Sequence, residues 1–187
     1  SVFRSYLNGV ATGTTSWTQG LGNNTQTFYI GKFWAGVFNG LMTNLKIYQK
    51  TLSPSDAAQN YYGGPIVTDS LVLATDASNL VSYPKTGTVW YDLTANINGN
   101  LNNGPIFSTE VGGCFVFDGV DDRAAFSNPY NSPNFSIEFW ANIDTSFVST
   151  VGTKGGIVST WDGSYNGFCI AVTDSSGQRV IRSWAND

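Results

Sequence analysis

The sequence has no histidine at all. That absence removes Ser-His-Asp and Cys-His catalysis, and every zinc site that needs an imidazole ligand. Charge is scarce as well: 12% of the 187 residues are Asp, Glu, Lys or Arg, about half the usual share. The nine basic residues are scattered and the net charge is −4. Nucleic acid is therefore excluded as a partner, because phosphate binding needs gathered Lys and Arg. No apolar run approaches the roughly 20 residues that cross a bilayer as a helix, so no membrane span is expected. The only glutamates are Glu110 and Glu138. Two cysteines, Cys114 and Cys169, are too few for a disulfide framework or a cysteine metal site. Each sits in a strand-like run, which predicts a buried free thiol, with a disulfide between them as the alternative. Glycines never fall in the spacing of a phosphate cradle between strand and helix.

What the chain does have is 41% apolar residues, 14% aromatics and 21 glycines, with much Asn, Ser and Thr. Many short strands joined by tight polar turns have this profile, and helices do not. Strand signals lie at Phe3–Leu7 before the Asn8-Gly9 turn, Thr27–Gly31, Gly40–Tyr48, Ser70–Thr75, Val89–Leu93, Cys114–Phe117 and Arg123–Phe126. They continue at Phe135–Asn142, Gly156–Thr160, Gly167–Thr173 and Arg179–Trp184. In Phe135–Asn142 the residues Phe135, Ile137, Phe139 and Ala141 share one face, and Ser136, Glu138, Trp140 and Asn142 the other. Leu41, Thr43, Leu45 and Ile47 alternate likewise against Met42, Asn44, Lys46 and Tyr48. Period two with one apolar face is the pattern of a strand in a two-layer sandwich. One short helix is expected, with Ser53 as N-cap, Pro54 at its first position, an acid at Asp56, and Gly63-Gly64-Pro65 as its stop. The fold class is all-β.

Gly63-Gly64-Pro65 is also the one candidate boundary. Residues 1–62 and 70–187 are not copies of each other, and residues 63–69 read as a linker between two complementary parts of one unit.

Four runs in the later part carry a resemblance: Leu71-Val-Leu-Ala-Thr-Asp76, Trp90-Tyr-Asp-Leu93, Phe117-Asp-Gly-Val-Asp-Asp122 and Phe135-Ser-Ile-Glu-Phe-Trp140. In the earlier part Tyr6-Leu-Asn-Gly9, Ile30-Gly31, Leu45-Lys-Ile-Tyr48 and Leu52-Ser53 add to it. Together they resemble the laminin-G-like jelly rolls of the concanavalin A-like lectin and glucanase superfamily. The resemblance implies a jelly-roll β-sandwich of two antiparallel sheets. It also implies that 1–62 is the C-terminal part of such a domain and 70–187 the N-terminal part, in inverted order. Circular permutation and a segment of tandem repeats both account for that order. The segment reading is favoured, because residues 60–69 look like linkers in tandem jelly-roll proteins of tailed bacteriophages. Either way the two parts are expected to pack as about one complete sandwich, within the chain or by exchange between neighbours.

Three chemistries follow for testing. A retaining glycosidase needs two carboxylates about 5–5.5 Å apart. Glu138 has no acid at positions 136, 140, 141 or 142, and Glu110 falls in a loop, so no enzyme is expected. Glycan binding would use the non-core face, where alternation places Trp140, Glu138, Asn142, Asn44, Lys46 and Tyr48, since aromatic faces stack on sugar rings. Set against this, a loop or second layer covering Trp140 is the commoner arrangement. Trp17, Trp34, Trp90, Trp161 and Trp184 are expected as core or loop anchors. Asp118, Asp121 and Asp122 make calcium the one cofactor to weigh, since hard cations take carboxylate oxygens; a plain Asp-Gly turn with solvated acids is the alternative. The expected function is a non-catalytic structural or adhesion module at a virion surface or outside the cell. Its expected partners are neighbouring copies, other virion or surface proteins, and glycans. A secreted carbohydrate-binding module of a cellular surface protein is the rival.

Overall fold

The computed structural model describes residues 2–16, 26–33, 36–129, 134–144, 155–160, 167–175 and 178–186. Trp17, Trp34 and Trp161 lie outside the described residues. The strands are β1 Val2–Leu7, β2 Val10–Ser16, β3 Phe28–Ile30, β4 Lys32–Phe33, β5 Gly36–Val37 and β6 Asn39–Tyr48. After helix α1, Pro54–Tyr61, come β7 Leu71–Asp76, β8 Val89–Trp90, β9 Gly99–Asn102, β10 Ile106–Ser108, β11 Cys114–Asp118 and β12 Arg123–Phe126. The last four are β13 Ser136–Ile143, β14 Gly155–Ser159, β15 Gly167–Ser175 and β16 Gln178–Asn186.

Two antiparallel sheets carry the core. One runs β10-β11-β6-β13 with β7 also on β6, and the other runs β16-β15-β14-β3-β12-β9-β8. Phe28, Ile30, Leu101, Ala124, Phe126, Val158 and Phe168 from the second meet Met42, Leu45, Ile47, Leu73, Phe115 and Phe117 from the first in one buried cluster. Trp90 is wholly buried there, edge-on to Phe115 at 4.8 Å between centroids. Strands from the first 62 residues are interior to both sheets: β3 lies between β12 and β14, and β6 between β13 on one side and β11 and β7 on the other. The segment expected as a linker is bonded to the helix, since Val67 N–H donates to Asn60 Oδ1 and Gln59 Nε2 donates to the Pro65 carbonyl.

The strict alternation expected along β6 does not hold. Phe139 pairs with Leu45 but Ala141 pairs with Met42, so Thr43 and Asn44 together oppose Trp140 in a β-bulge. The extra residue reverses the facing of everything before it. Met42 is therefore in the core and Leu41 is only half-buried. The bulge sits where β6 changes partner from β11 to β7. Thr43 bridges the gap, its Oγ1 donating to the Gly113 carbonyl and its own carbonyl accepting from Ala77 N–H.

The strand expected over Val89–Leu93 stops at Trp90 because Asp92 makes a turn. Its buried carboxylate accepts from Ala74, Thr94, Asn96 and Ile97 N–H and from Thr94 Oγ1, at 2.6–3.2 Å. Cys114 and Cys169 are both buried and neither is in a disulfide, as the strand-like runs predicted. Burial pushes the Cys114 thiol above its usual range, helped by the charge of Glu110.

Candidate functional site

Helix α1 begins as its sequence predicts. Ser53 Oγ accepts from Asp56 N–H at 3.1 Å while the Asp56 carboxylate accepts from Ser53 N–H at 3.0 Å, and Pro54 fills the first turn. Bonds from the Ser53 backbone N–H first and the Ser53 side chain second hold the Asp56 carboxyl below its ordinary range. The helix lays its last turn across the outer face of β6 and β13, the face on which the six glycan candidates were expected.

Beneath the helix the polar candidates are bound to one another. Glu138 lies directly across from Lys46 in the ladder, and Lys46 Nζ donates to Glu138 Oε1 at 2.8 Å. Asn60 Nδ2, from the helix, donates to Glu138 Oε2 at 2.6 Å and to the Tyr48 hydroxyl at 3.0 Å. Tyr48 is wholly buried, and its hydroxyl is pushed up to about 12 by burial first and the neighbouring Glu138 charge second. Glu138, Lys46 and Tyr48 thus form the floor under the helix rather than an open surface. Asn44 sits in the bulge, half-buried, with its Oδ1 unpartnered.

Trp140 and Asn142 do reach solvent. Trp140 is 43% exposed and stacks on Tyr61 of the helix, with centroids 5.4 Å apart and planes within 8°. Tyr62 stands edge-on to Tyr61 at 5.0 Å and is 74% exposed, which extends the aromatic ledge. The β1–β2 hairpin closes the far side, where the Asn8-Gly9 turn (φ 51 and 74) meets the ring of Tyr61. A side chain at Gly9 would put Cβ 2.7 Å from Tyr61 Cδ1, so only glycine allows this approach. Asn60, Tyr61 and Tyr62 were missed as site residues. The only signal for them was that a capped helix leads straight into a Tyr-Tyr pair.

The acidic turn joins β11 to β12. Ligand oxygens of Asp118, Asp121 and Asp122 lie within 4.8 Å of one another, with Asp118 and Asp121 exposed and Asp122 buried. Turn chemistry is also present: Asp118 Oδ1 accepts from Val120 N–H at 2.8 Å, and Asp122 Oδ2 accepts from Asp118 N–H at 3.0 Å. Burial raises the Asp122 carboxyl above its ordinary range, the Asp118 N–H bond opposes this, and the charges of Asp118 and Asp121 add to it. Three hard oxygen donors suit a divalent cation such as calcium, and a bound cation would relieve the repulsion at Asp122.

Among the described residues no helix is long and apolar enough to cross a membrane. No curated protein and no solved structure matches the chain. The architecture is the all-β sandwich of antiparallel sheets with one short α-helix expected from the sequence, and residues 1–58, which span β1 to β6 and the start of α1, match a laminin-G family model of the concanavalin A-like lectin/glucanases superfamily.

Proposed function

We propose that this chain is a non-catalytic structural or adhesion module of a virion surface, a capsid decoration, fibre or tail component, that works by association with neighbouring proteins and with glycans. The observation that carries the association reading is the exposed aromatic ledge of Trp140, Tyr61 and Tyr62, braced from below by the bonded group of Glu138, Lys46, Tyr48 and Asn60. A large aromatic surface held rigid at the water interface loses little entropy on meeting a sugar ring or a protein side chain. The match of residues 1–58 to a lectin-type superfamily supports a binding role. On this reading Trp140 and Asn142 make contact, while Glu138, Lys46, Tyr48 and Asn44 support them. The inverted order of the two parts, 1–62 before 70–187, fits a segment of a tandem jelly-roll array of the kind the linker resembles.

Antibody raised against the chain should label intact particles at regular spacing. Antigen found only in particle-free supernatant or on a cell surface overturns the virion reading in favour of the secreted lectin-like module. The glycan arm is read on an array, where loss of signal in Trp140→Ala assigns the ledge as the contact.

A second reading concerns the acidic turn, and the observation favouring it is the close approach of three carboxylates with one of them buried. We propose that Asp118, Asp121 and Asp122 hold calcium there, fixing the β11–β12 connection; isothermal titration of the chain with calcium chloride tests it.

A further inference from the structure

We propose that the open edge of β13 is a self-association strand, pairing antiparallel with β13 of a second copy about a two-fold axis at Trp140. The proposal deepens the association reading above and rests on it.

Among the described residues β13 pairs only with β6, and its other edge carries no strand among them. Such an edge leaves a row of backbone donors and acceptors able to template another strand. Natural edges are usually blunted by charge, proline or shortness. The edge strand β16 carries Arg179 and Arg182, while β8 and β10 are two and three residues long. β13 has eight residues, no proline and one charge, and that charge is already neutralised by Lys46.

Its side chains show the same lack of cover. No residue of β13 is fully buried, whereas Met42, Leu45 and Ile47 beside it on β6 are inaccessible. Ile137, Phe139 and Ile143 lie against the core but remain partly open.

The sequence of the strand selects a second copy as the occupant. Antiparallel pairing centred on Trp140 sets Ile137 opposite Ile143 of the second copy, Phe139 opposite Ala141, Glu138 opposite Asn142, and Trp140 opposite Trp140. Every apolar core-side residue then meets an apolar one, and no like charges face each other. Centring on Glu138 would oppose two glutamates, and centring on Ala141 would set Glu138 against Asp144. A two-fold axis normal to the sheet also continues both core faces in register, which is the geometry of a closed isologous dimer.

The test uses the purified full chain. Sedimentation equilibrium should show a concentration-dependent monomer–dimer equilibrium. Asn142→Glu, at an exposed position, creates two Glu–Glu oppositions per dimer and should weaken the dissociation constant roughly tenfold. Asn142→Lys, which opposes Glu138 with a positive charge, should leave it equal or tighter. Mild oxidation of Trp140→Cys should give a covalent dimer, because two-fold related positions come within disulfide reach; Val120→Cys, on the exposed β11–β12 turn that β6 separates from β13, should not. A chain that stays monomeric to millimolar concentration overturns the proposal. So does a dimer indifferent to the sign of charge at position 142. Should Trp140→Cys not fold, the pair of Asn142 variants decides alone. Particle labelling with a monomeric chain would sink this inference and spare the virion reading, and dimers without particle labelling would do the reverse.

Discussion

Tyr61 and Trp140 lie ring to ring, 5.4 Å between centroids and 8° from parallel, although one ends a helix and the other sits at a bulge seventy-nine positions later. The stack joins α1 to the sheet and fixes the direction in which Trp140 faces water. Removing the ring with Tyr61→Ala should cost about 1–2 kcal/mol in urea denaturation, the range for an aromatic pair plus lost area. Tyr61→Phe should recover nearly all of it, since no bond to the Tyr61 hydroxyl is involved in the stack. Equal loss in both variants would mean that the hydroxyl, not the ring, holds the helix.

Under the stack, Lys46 and Glu138 are an ion pair with side chains 11% and 20% exposed. Breaking a buried pair strands the surviving charge. Lys46→Met or Glu138→Gln alone should therefore destabilise by roughly 2–3 kcal/mol, discounted from the fully buried range for the remaining exposure. The double variant should lose less than the sum of the two, and a double-mutant cycle reads the difference. Strict additivity would place the stabilisation elsewhere, in the bonds from Asn60.

How much of this could be read from the sequence depended on whether the cause was local. The capping box of Ser53 and Asp56, the Asn8-Gly9 turn and the alternation of β13 are set by neighbours in the chain, and each lies where its residues predicted. The cover over the polar face is not local. Nothing in Glu138 or Tyr48 announces that Asn60 will reach both, because that depends on where a helix lands after the chain has left the sheet. The bulge at Thr43 and Asn44 was hidden for a related reason. It arises from β6 changing partners, a property of β7 and β11, while the sequence of β6 itself alternates without a break. The short strands β9 and β10 pair through backbone groups with little apolar patterning, so the sequence carried no period to find.

Alkaline pH should loosen the same region. The Tyr48 hydroxyl is raised from 10.0 to about 12 in the folded chain, so the folded state holds its proton more tightly than the unfolded state does. The stability this contributes is whole below pH 10 and drains away between there and about 12, by up to about 3 kcal/mol. Tyr83, raised by burial, adds in the same direction. Denaturation midpoints measured from pH 8 to 12 should fall more steeply in the wild type than in Tyr48→Phe. Parallel curves would mean that Tyr48 does not supply the alkaline loss.

The Asp92 carboxylate is the most heavily bonded acceptor described, gathering four backbone N–H groups and one hydroxyl. Asp92→Ala strands those donors at a part-buried turn beside Trp90, with a cost of about 1–3 kcal/mol. The midpoint of urea unfolding should fall accordingly. A change below about 1 kcal/mol would mean that water replaces the carboxylate and that the turn is held by its backbone alone.

The acidic turn gives a sharper test, because stability and metal binding pull on one residue in opposite directions. Asp122 is buried beside two other carboxylates and its carboxyl is raised, so charging it costs the folded state as pH climbs past its folded-state value. At pH 7 without metal, Asp122→Asn should be neutral or stabilising, because an amide oxygen can still accept from Asp118 N–H while the buried charge is gone. With calcium the order reverses. A site at one hundred times its dissociation constant gains about 2.7 kcal/mol, so the wild type should rise in melting temperature while the Asn variant stays still. Magnesium should do less, since its small octahedral shell is harder to satisfy from one short turn. If calcium leaves the wild type unmoved while Asp122→Asn stabilises it, the three acids are a strained turn and nothing more.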